Sequence, residues 1–111
     1  MKIYIFVDME GISGVSGSDF VKSDGRLYAT ARRYYTQDLN VCARACFKAG
    51  AEAVLARDGH GSGNHVLWDE LDPAIELVQG GTGTVRLPGI TECQGLILLG
   101  YHAMAGTAGA L

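Results

Sequence analysis

The stretch Lys2-Ile3-Tyr4-Ile5-Phe6-Val7-Asp8-Met9-Glu10-Gly11 decides how this chain folds. Its apolar residues run almost without interruption, as in a strand that is buried on both faces of a parallel sheet. Asp8 and Glu10 follow directly, and residues i and i+2 of a strand point the same way, so both carboxylates can aim at one point. Two like charges this close repel each other, so the pair requires a cation, a metal ion in preference to a Lys or Arg.

Composition excludes several classes of protein. The chain has 111 residues, 48% of them hydrophobic and 19% charged, which is typical of one folded domain rather than a disordered segment. A net charge of −3 provides no basic surface for nucleic acid or for a membrane. No apolar stretch approaches the roughly 18 residues of a membrane span, and the start lacks the features of a signal peptide. We therefore expect a cytoplasmic protein without nucleic-acid or membrane partners.

The spacing of apolar residues predicts one long helix and three further strands. Between Leu27 and Ala49 they recur with a period near 3.6, which predicts an amphipathic helix that Gly50 terminates. Short apolar runs predict strands at 53–56, 75–78 and 96–99, and weaker patterns predict a short helix within 64–71 and a connector or short helix at 88–93.

Alternation of strands and helices predicts the fold class. It indicates an α/β protein with a mostly parallel open sheet of about four strands and flanking helices, formed by residues 1–111 as a single domain. A parallel sheet needs cover on both faces, and the predicted helices are too few to provide it. We therefore expect the fold to be incomplete.

Side chains that can bind a metal follow three of the predicted strands, namely Asp8 and Glu10, then Asp58 and His60, then His102. In open α/β sheets ligands bind outside the carboxyl ends of the strands, which brings these residues to one edge. Carboxylates combined with imidazoles suit Zn²⁺, or alternatively Mn²⁺ or Fe²⁺. Asp58 precedes Gly59 and fits a turn equally well, so it can orient a histidine ligand instead of binding a metal. His65 has no strand end to aim it, and we interpret it as structural.

Three motifs carry a resemblance to a known family. Asp8-Met9-Glu10-Gly11-Ile12-Ser13-Gly14, Asp58-Gly59-His60 with Asn64, and Gly100-Tyr101-His102-Ala103 resemble, in register, the successive motifs of the D-aminopeptidase family of binuclear zinc peptidases. The resemblance implies that Asp8 bridges two zinc ions and that Glu10, His60 and His102 are zinc ligands. We assign Asp58 and Asn64 to orienting those ligands.

The same resemblance implies an activity and an assembly. Family members release N-terminal D-residues from short peptides and form homo-oligomers, ring-like decamers that enclose the active sites. They are more than twice as long as this chain, and their further glutamate ligand and catalytic histidine fall beyond the position of Leu111. The resemblance therefore assigns no catalytic residue within the chain, which we expect to be the amino-terminal part of a longer metallopeptidase, with impaired hydrolysis if it ended at Leu111.

Two alternatives remain open at this point. An Asp-x-Glu pair at a strand end also begins several Mg²⁺-dependent phosphohydrolases, although the two histidines fit Zn²⁺ better than Mg²⁺. A truncated relative without catalytic activity, retained as a metal-binding or assembly module, is the other alternative.

Overall fold

The computed structural model describes the whole chain, Met1–Leu111. In chain order its elements are β1 (Lys2–Val7), α1 (Ser18–Val21), α2 (Tyr28–Lys48), β2 (Ala53–Asp58), β3 (Ile75–Val78), a turn of 3₁₀-helix (Ile90–Glu92) and β4 (Gly95–Leu99). All three strand pairings are parallel, and the strand order is β3-β2-β1-β4. The predicted α/β fold with a parallel sheet of four strands is confirmed.

Helix α2 covers one face of the sheet. It buries Ala31, Tyr35, Leu39 and Ala43, whose spacing of three or four residues places them along one stripe of the helix. This stripe packs against the β1 and β2 side chains of the same face and forms the main core. Neither α2 nor α1 combines the length and the apolar character that crossing a membrane requires.

The end of α2 is fixed by backbone hydrogen bonds. Gly50 has φ +101°, its N–H donates to the Phe47 carbonyl at 3.0 Å, and the Ala51 N–H donates to the Cys46 carbonyl at 3.0 Å. This pair of bonds is a Schellman motif, which favours glycine at the left-handed position. The predicted termination of the helix at Gly50 is confirmed.

The opposite face of the sheet is covered only in part. Tyr4, Phe6 and Leu55 are buried beneath the segment that leads into β4. On β4 itself, Leu96 and Leu98 point to this same face but are 45% and 55% exposed. The cover of the sheet is therefore incomplete, as the shortage of predicted helices indicated.

The helix predicted within residues 64–71 does not form, and the segment is a series of turns. Its first backbone donors bond to a side chain instead of entering a helix, because the N–H groups of His65 and Val66 donate to the Asp58 carboxylate at 2.6 and 2.9 Å. Hydrogen bonds of this kind compete with helix formation. The prediction was wrong because the competing acceptor lies on a neighbouring strand and is invisible to local periodicity.

Candidate metal centre

The carboxyl ends of β1, β2 and β4 lie level with one another. Val7 pairs with Asp58 on one side and with Leu99 on the other. The Asp8 N–H then donates to the Leu99 carbonyl at 2.8 Å, which extends the ladder by one residue. This is the edge at which open α/β sheets bind ligands, and it carries Asp8 and the residues that follow β2 and β4.

The four predicted ligands come together at this edge. Ligand atoms of Asp8, Glu10 and His60 all lie within 4.8 Å of one another. His60 Nδ1 is 3.1 Å from Asp8 Oδ1 and 3.3 Å from Glu10 Oε2, whereas His102 Nε2 is 3.5 Å from Asp8 Oδ2. Each oxygen of Asp8 thus faces a different histidine. This arrangement would suit a carboxylate that bridges two metal ions.

The second nitrogen of each histidine is occupied in a way that fixes the tautomer. His60 Nε2 lies 2.8 Å from the Val21 carbonyl, and His102 Nδ1 lies 2.6 Å from the Ala103 carbonyl. A carbonyl only accepts, so these nitrogens carry the protons and donate. When each ring is neutral, His60 Nδ1 and His102 Nε2 are therefore the nitrogens free to bind a metal, as histidine ligands usually do. Without a metal, the protonated His60 Nδ1 donates to Asp8 Oδ1 instead.

Helix α1 has a function that sequence reasoning missed. Its last residue, Val21, supplies the carbonyl that holds His60. A backbone acceptor leaves no signal in the side-chain pattern, so only the folded arrangement identifies it.

The charge and burial of the cluster suit a cation. Burial and the neighbouring Asp8 carboxylate raise the pKa of Glu10. Burial opposes ionisation of Asp8 too, but hydrogen bonds from His60 and the Met9 N–H outweigh it and hold the Asp8 pKa below its usual value. The hydrogen bond to Asp8 raises the pKa of His60 to about 9. Glu10 Oε2 is buried without a hydrogen-bond partner, and buried acceptors are rarely left so. Two carboxylates and two imidazoles at such a position fit Zn²⁺.

Asp58 does not contact the ligand histidines. It pairs in register with Val7, so its side chain points to the α2 face, opposite to Asp8. Asp58 Oδ1 accepts from the Tyr35 hydroxyl at 2.8 Å, and Oδ2 accepts from the backbone of His65 and Val66. Asp58 thereby anchors the loop that carries His60 to the sheet and to α2. Its role in orienting a histidine ligand stays a prediction.

Asn64 lies outside the site. Its side chain is exposed, and its Nδ2 donates to the Ser62 carbonyl at 3.3 Å. The chain turns at Gly61 and Gly63, where φ is +45° and +75°, and carries Asn64 toward solvent. Asn64 makes no contact with the ligand side chains in this structure, and its assignment to orienting a ligand stays a prediction.

His65 forms one wall of the site without belonging to the ligand cluster. It is 5% exposed, and its ring packs edge-on against His60 with centroids 4.7 Å apart. Its Nδ1 lies 2.6 Å from the Tyr28 hydroxyl, and its Nε2 is buried without a partner. Burial lowers the pKa of His65, so the ring is a neutral support for His60. Nothing in the local sequence indicated this contact.

Two glycines allow the segments that carry Asp8 and His102 to meet. The Gly11 N–H donates to the Gly100 carbonyl at 2.8 Å. A Cβ at Gly11 would lie 2.7 Å from the Tyr101 carbonyl oxygen, and a Cβ at Gly100 would lie 2.3 Å from the Asp8 carbonyl oxygen. Only residues without a side chain permit this approach.

Comparisons with known proteins agree with the fold. A curated D-aminopeptidase of Bacillus subtilis (strain 168) is 36% identical over 113 residues, an alignment that covers 100% of this chain and 41% of that protein. A solved structure, described as the Zn-dependent D-aminopeptidase DppA from Bacillus subtilis, a self-compartmentalizing protease, superposes with a TM-score of 0.89. Its sequence is 35% identical, and the superposition covers 96% of this chain and 40% of that one. The chain thus spans about two fifths of the length of these relatives. The family model described as D-aminopeptidase matches residues 1–111, so the chain belongs to the D-aminopeptidase family.

Proposed function

We propose that this protein is a zinc-dependent aminopeptidase that removes N-terminal D-residues from short peptides. Asp8, Glu10, His60 and His102 are the zinc ligands in this proposal, and Asp8 bridges two ions. The observation that carries it is the placement of a different histidine nitrogen at each oxygen of Asp8, at 3.1 and 3.5 Å.

The residues of the chain prepare this site before any substrate binds. The Val21 carbonyl and the edge of the His65 ring hold His60 in place, and the Met9 N–H holds Asp8 Oδ1 at 2.9 Å. Ligands fixed in this way lose little conformational freedom on binding a metal. When bound, zinc supplies Lewis-acid polarisation of a carbonyl oxygen and lowers the pKa of water toward neutrality.

The proposed zinc ligands also support action at the amino terminus of a peptide. The free amine of a substrate would bind at a zinc ion held by Asp8 and Glu10 through a nitrogen lone pair, which an internal amide nitrogen does not offer. We infer the preference for D-residues and the presence of two ions from the resemblance to the family. We also extend homo-oligomeric assembly, as a ring-like decamer that encloses the active sites, from the resemblance and from a relative described as self-compartmentalizing.

Metal content and stereochemistry test the proposal together. Full-length protein is stripped with a chelator, dialysed against Zn²⁺ or Mg²⁺, and assayed for metal content and for hydrolysis of D-Ala-D-Ala and L-Ala-L-Ala. We expect two Zn²⁺ per chain and hydrolysis of the D-dipeptide that requires zinc. His60→Ala should abolish the activity, and Asp24→Asn, a change at an exposed carboxylate away from the cluster, should not.

Two results would contradict the proposal. Stoichiometric Mg²⁺ with hydrolysis of phosphate esters would favour the phosphohydrolase alternative. Hydrolysis of L-Ala-L-Ala alone would contradict the preference for D-residues, but the protein would still be a metallopeptidase.

A further inference from the structure

A small polar cavity of about 170 Å³ lies beside the metal centre. Two arginines, Arg57 and Arg86, contribute to its lining, together with Thr82, Phe6 and the glycines on either side of His60. The volume is below the roughly 300 Å³ at which pockets for whole ligands begin. It suits one charged group of a larger molecule.

The positive charge of this cavity is not neutralised within the chain. Neither Arg57 nor Arg86 forms an ion pair with a carboxylate. Arg57 is only 8% exposed, and its Nη2 and Nη1 donate to the carbonyls of Gly80 and Val78 at 2.9 and 3.4 Å, which satisfies two donors but leaves the charge. Its Nε is buried without a partner. A buried charge without a counter-charge is costly, so the cavity favours an anion.

The second arginine has a defined place although it is exposed. The Arg86 guanidinium carbon lies 5.7 Å from the centre of the Phe6 ring, a cation–π contact. Phe6 therefore forms an apolar wall and Thr82 adds a hydroxyl. Guanidinium groups bind carboxylates through paired N–H donors, which is the chemistry this cavity offers.

The cavity and the metal centre share parts of their walls. Gly59 and Gly61 line the cavity and flank His60, and consecutive Cα atoms are about 3.8 Å apart. Phe6 precedes Asp8 by two residues on β1, so the two side chains point to the same face. A peptide extends by roughly 3.5 Å per residue. The residue that follows a bond cleaved at the metal centre would therefore extend toward the neighbouring cavity.

We propose that this cavity binds the free carboxylate of a short peptide whose amino-terminal bond lies at Asp8 and His60. This inference rests on the proposed function and narrows it, because it makes dipeptides with a free carboxyl terminus the preferred substrates over amides and longer chains. The anion is the terminus of the substrate rather than a separate small carboxylate.

Paired substrates and an arginine variant test the inference in zinc-loaded, full-length protein. We expect the KM of D-Ala-D-Ala to be about tenfold lower than that of D-alanyl-D-alaninamide, the size of effect that one charge-assisted hydrogen bond produces. Arg86→Gln should remove this difference and Arg86→Lys should retain part of it. Arg33→Gln is the matched control, since Arg33 is exposed on α2 without an ion pair and is no part of the cavity. Acetate should compete with the dipeptide but not with the amide.

The outcomes separate this inference from the proposed function. Hydrolysis of both peptides with equal KM, a preference that survives Arg86→Gln, or acetate that does not compete would each overturn the carboxylate site alone. Absence of hydrolysis of either peptide would overturn the proposed function. The cavity is tested independently by titrating acetate into metal-free protein and following the Arg86 Nε–H signal by NMR. A saturable shift in the wild type and in Arg33→Gln is expected, and no shift would overturn the inference.

Discussion

The two histidines that face Asp8 belong to regions of very different character. The His60 side chain is 12% exposed, and the loop around it is tied to α1, α2 and β2. The His102 side chain is 51% exposed, and residues 101–111 around it are exposed throughout. One side of the site is thus built into the core, whereas the other lies at the surface.

This difference indicates how much each histidine contributes to metal affinity. The partners of His60 fix its position before a cation binds, so its donor atom is already in place. His102 contacts the adjacent Ala103 carbonyl, the Tyr101 ring and Asp8, so fewer contacts with the rest of the fold fix the position of its donor atom. The buried side should therefore contribute more to affinity.

Deleting each histidine in turn gives the largest expected effect. A structural zinc site of four ligands contributes roughly 10–16 kcal/mol, or about 3 kcal/mol per ligand. We expect His60→Ala to weaken Zn²⁺ binding by roughly a hundredfold or more and His102→Ala by about tenfold, measured by competition with a chromophoric chelator. Circular dichroism of each metal-free variant is the control for folding. Equal losses would show that the two sides contribute alike.

Adding one methyl group where the two regions meet should have the next largest effect. Gly100 has φ +67°, and a Cβ there would lie 2.3 Å from the Asp8 carbonyl oxygen. Gly100→Ala should lower the free energy of unfolding by about 3 kcal/mol, through backbone strain and this clash. Gly106 is the matched control, since its φ is +84° with open space around it, and Gly106→Ala should cost about 1 kcal/mol. Similar losses in urea denaturation would mean that the close approach is unimportant.

The smallest effect we predict is a dependence on pH that comes from the buried side. With a pKa raised to about 9, His60 is protonated at neutral pH in the metal-free protein. Zn²⁺ must displace this proton, so its affinity should rise about tenfold per pH unit up to about pH 9. In the metal-free protein the free energy of unfolding changes in the opposite direction and falls as the pH rises. The contribution of the charged imidazole is complete below about pH 6.5 and is lost as the pH rises through about 9.

Calorimetry in buffers of different ionisation enthalpy measures the proton release, and urea denaturation with a chelator measures the stability. His60→Gln should remove both dependences. Zinc affinity that does not change between pH 6.5 and 8.5 would show that His60 is neutral before the metal binds.

The sequence was sufficient wherever one element decides the outcome by itself. The periodicity from Leu27 to Ala49 gave helix α2 and its end, and the apolar runs gave the four strands of the parallel sheet. The meeting of Asp8, Glu10, His60 and His102 also follows from sequence, because parallel strands bring their carboxyl ends to one edge.

The sequence was insufficient wherever two distant elements decide the outcome. The direction of Asp58 depends on its pairing with Val7, and the support of His60 by Val21 and His65 depends on loops folding onto one another. Asn64 follows a pair of glycine turns whose φ angles cannot be inferred from composition. These contacts support the ligands instead of binding the metal, so the residue types involved give little indication of their role.

The contact between Asp8 and His102 has a consequence for the unfolded chain as well. These residues are 94 positions apart in the sequence, so a cation held by both would act as a removable cross-link. A covalent cross-link that closes a loop of about 100 residues restricts the unfolded ensemble by roughly 4.7 kcal/mol. A metal that stayed bound to both residues during unfolding would likewise restrict the unfolded ensemble. A metal that dissociated would stabilise the native state by mass action. Metal supply would then regulate folding and survival of the protein in addition to its chemistry.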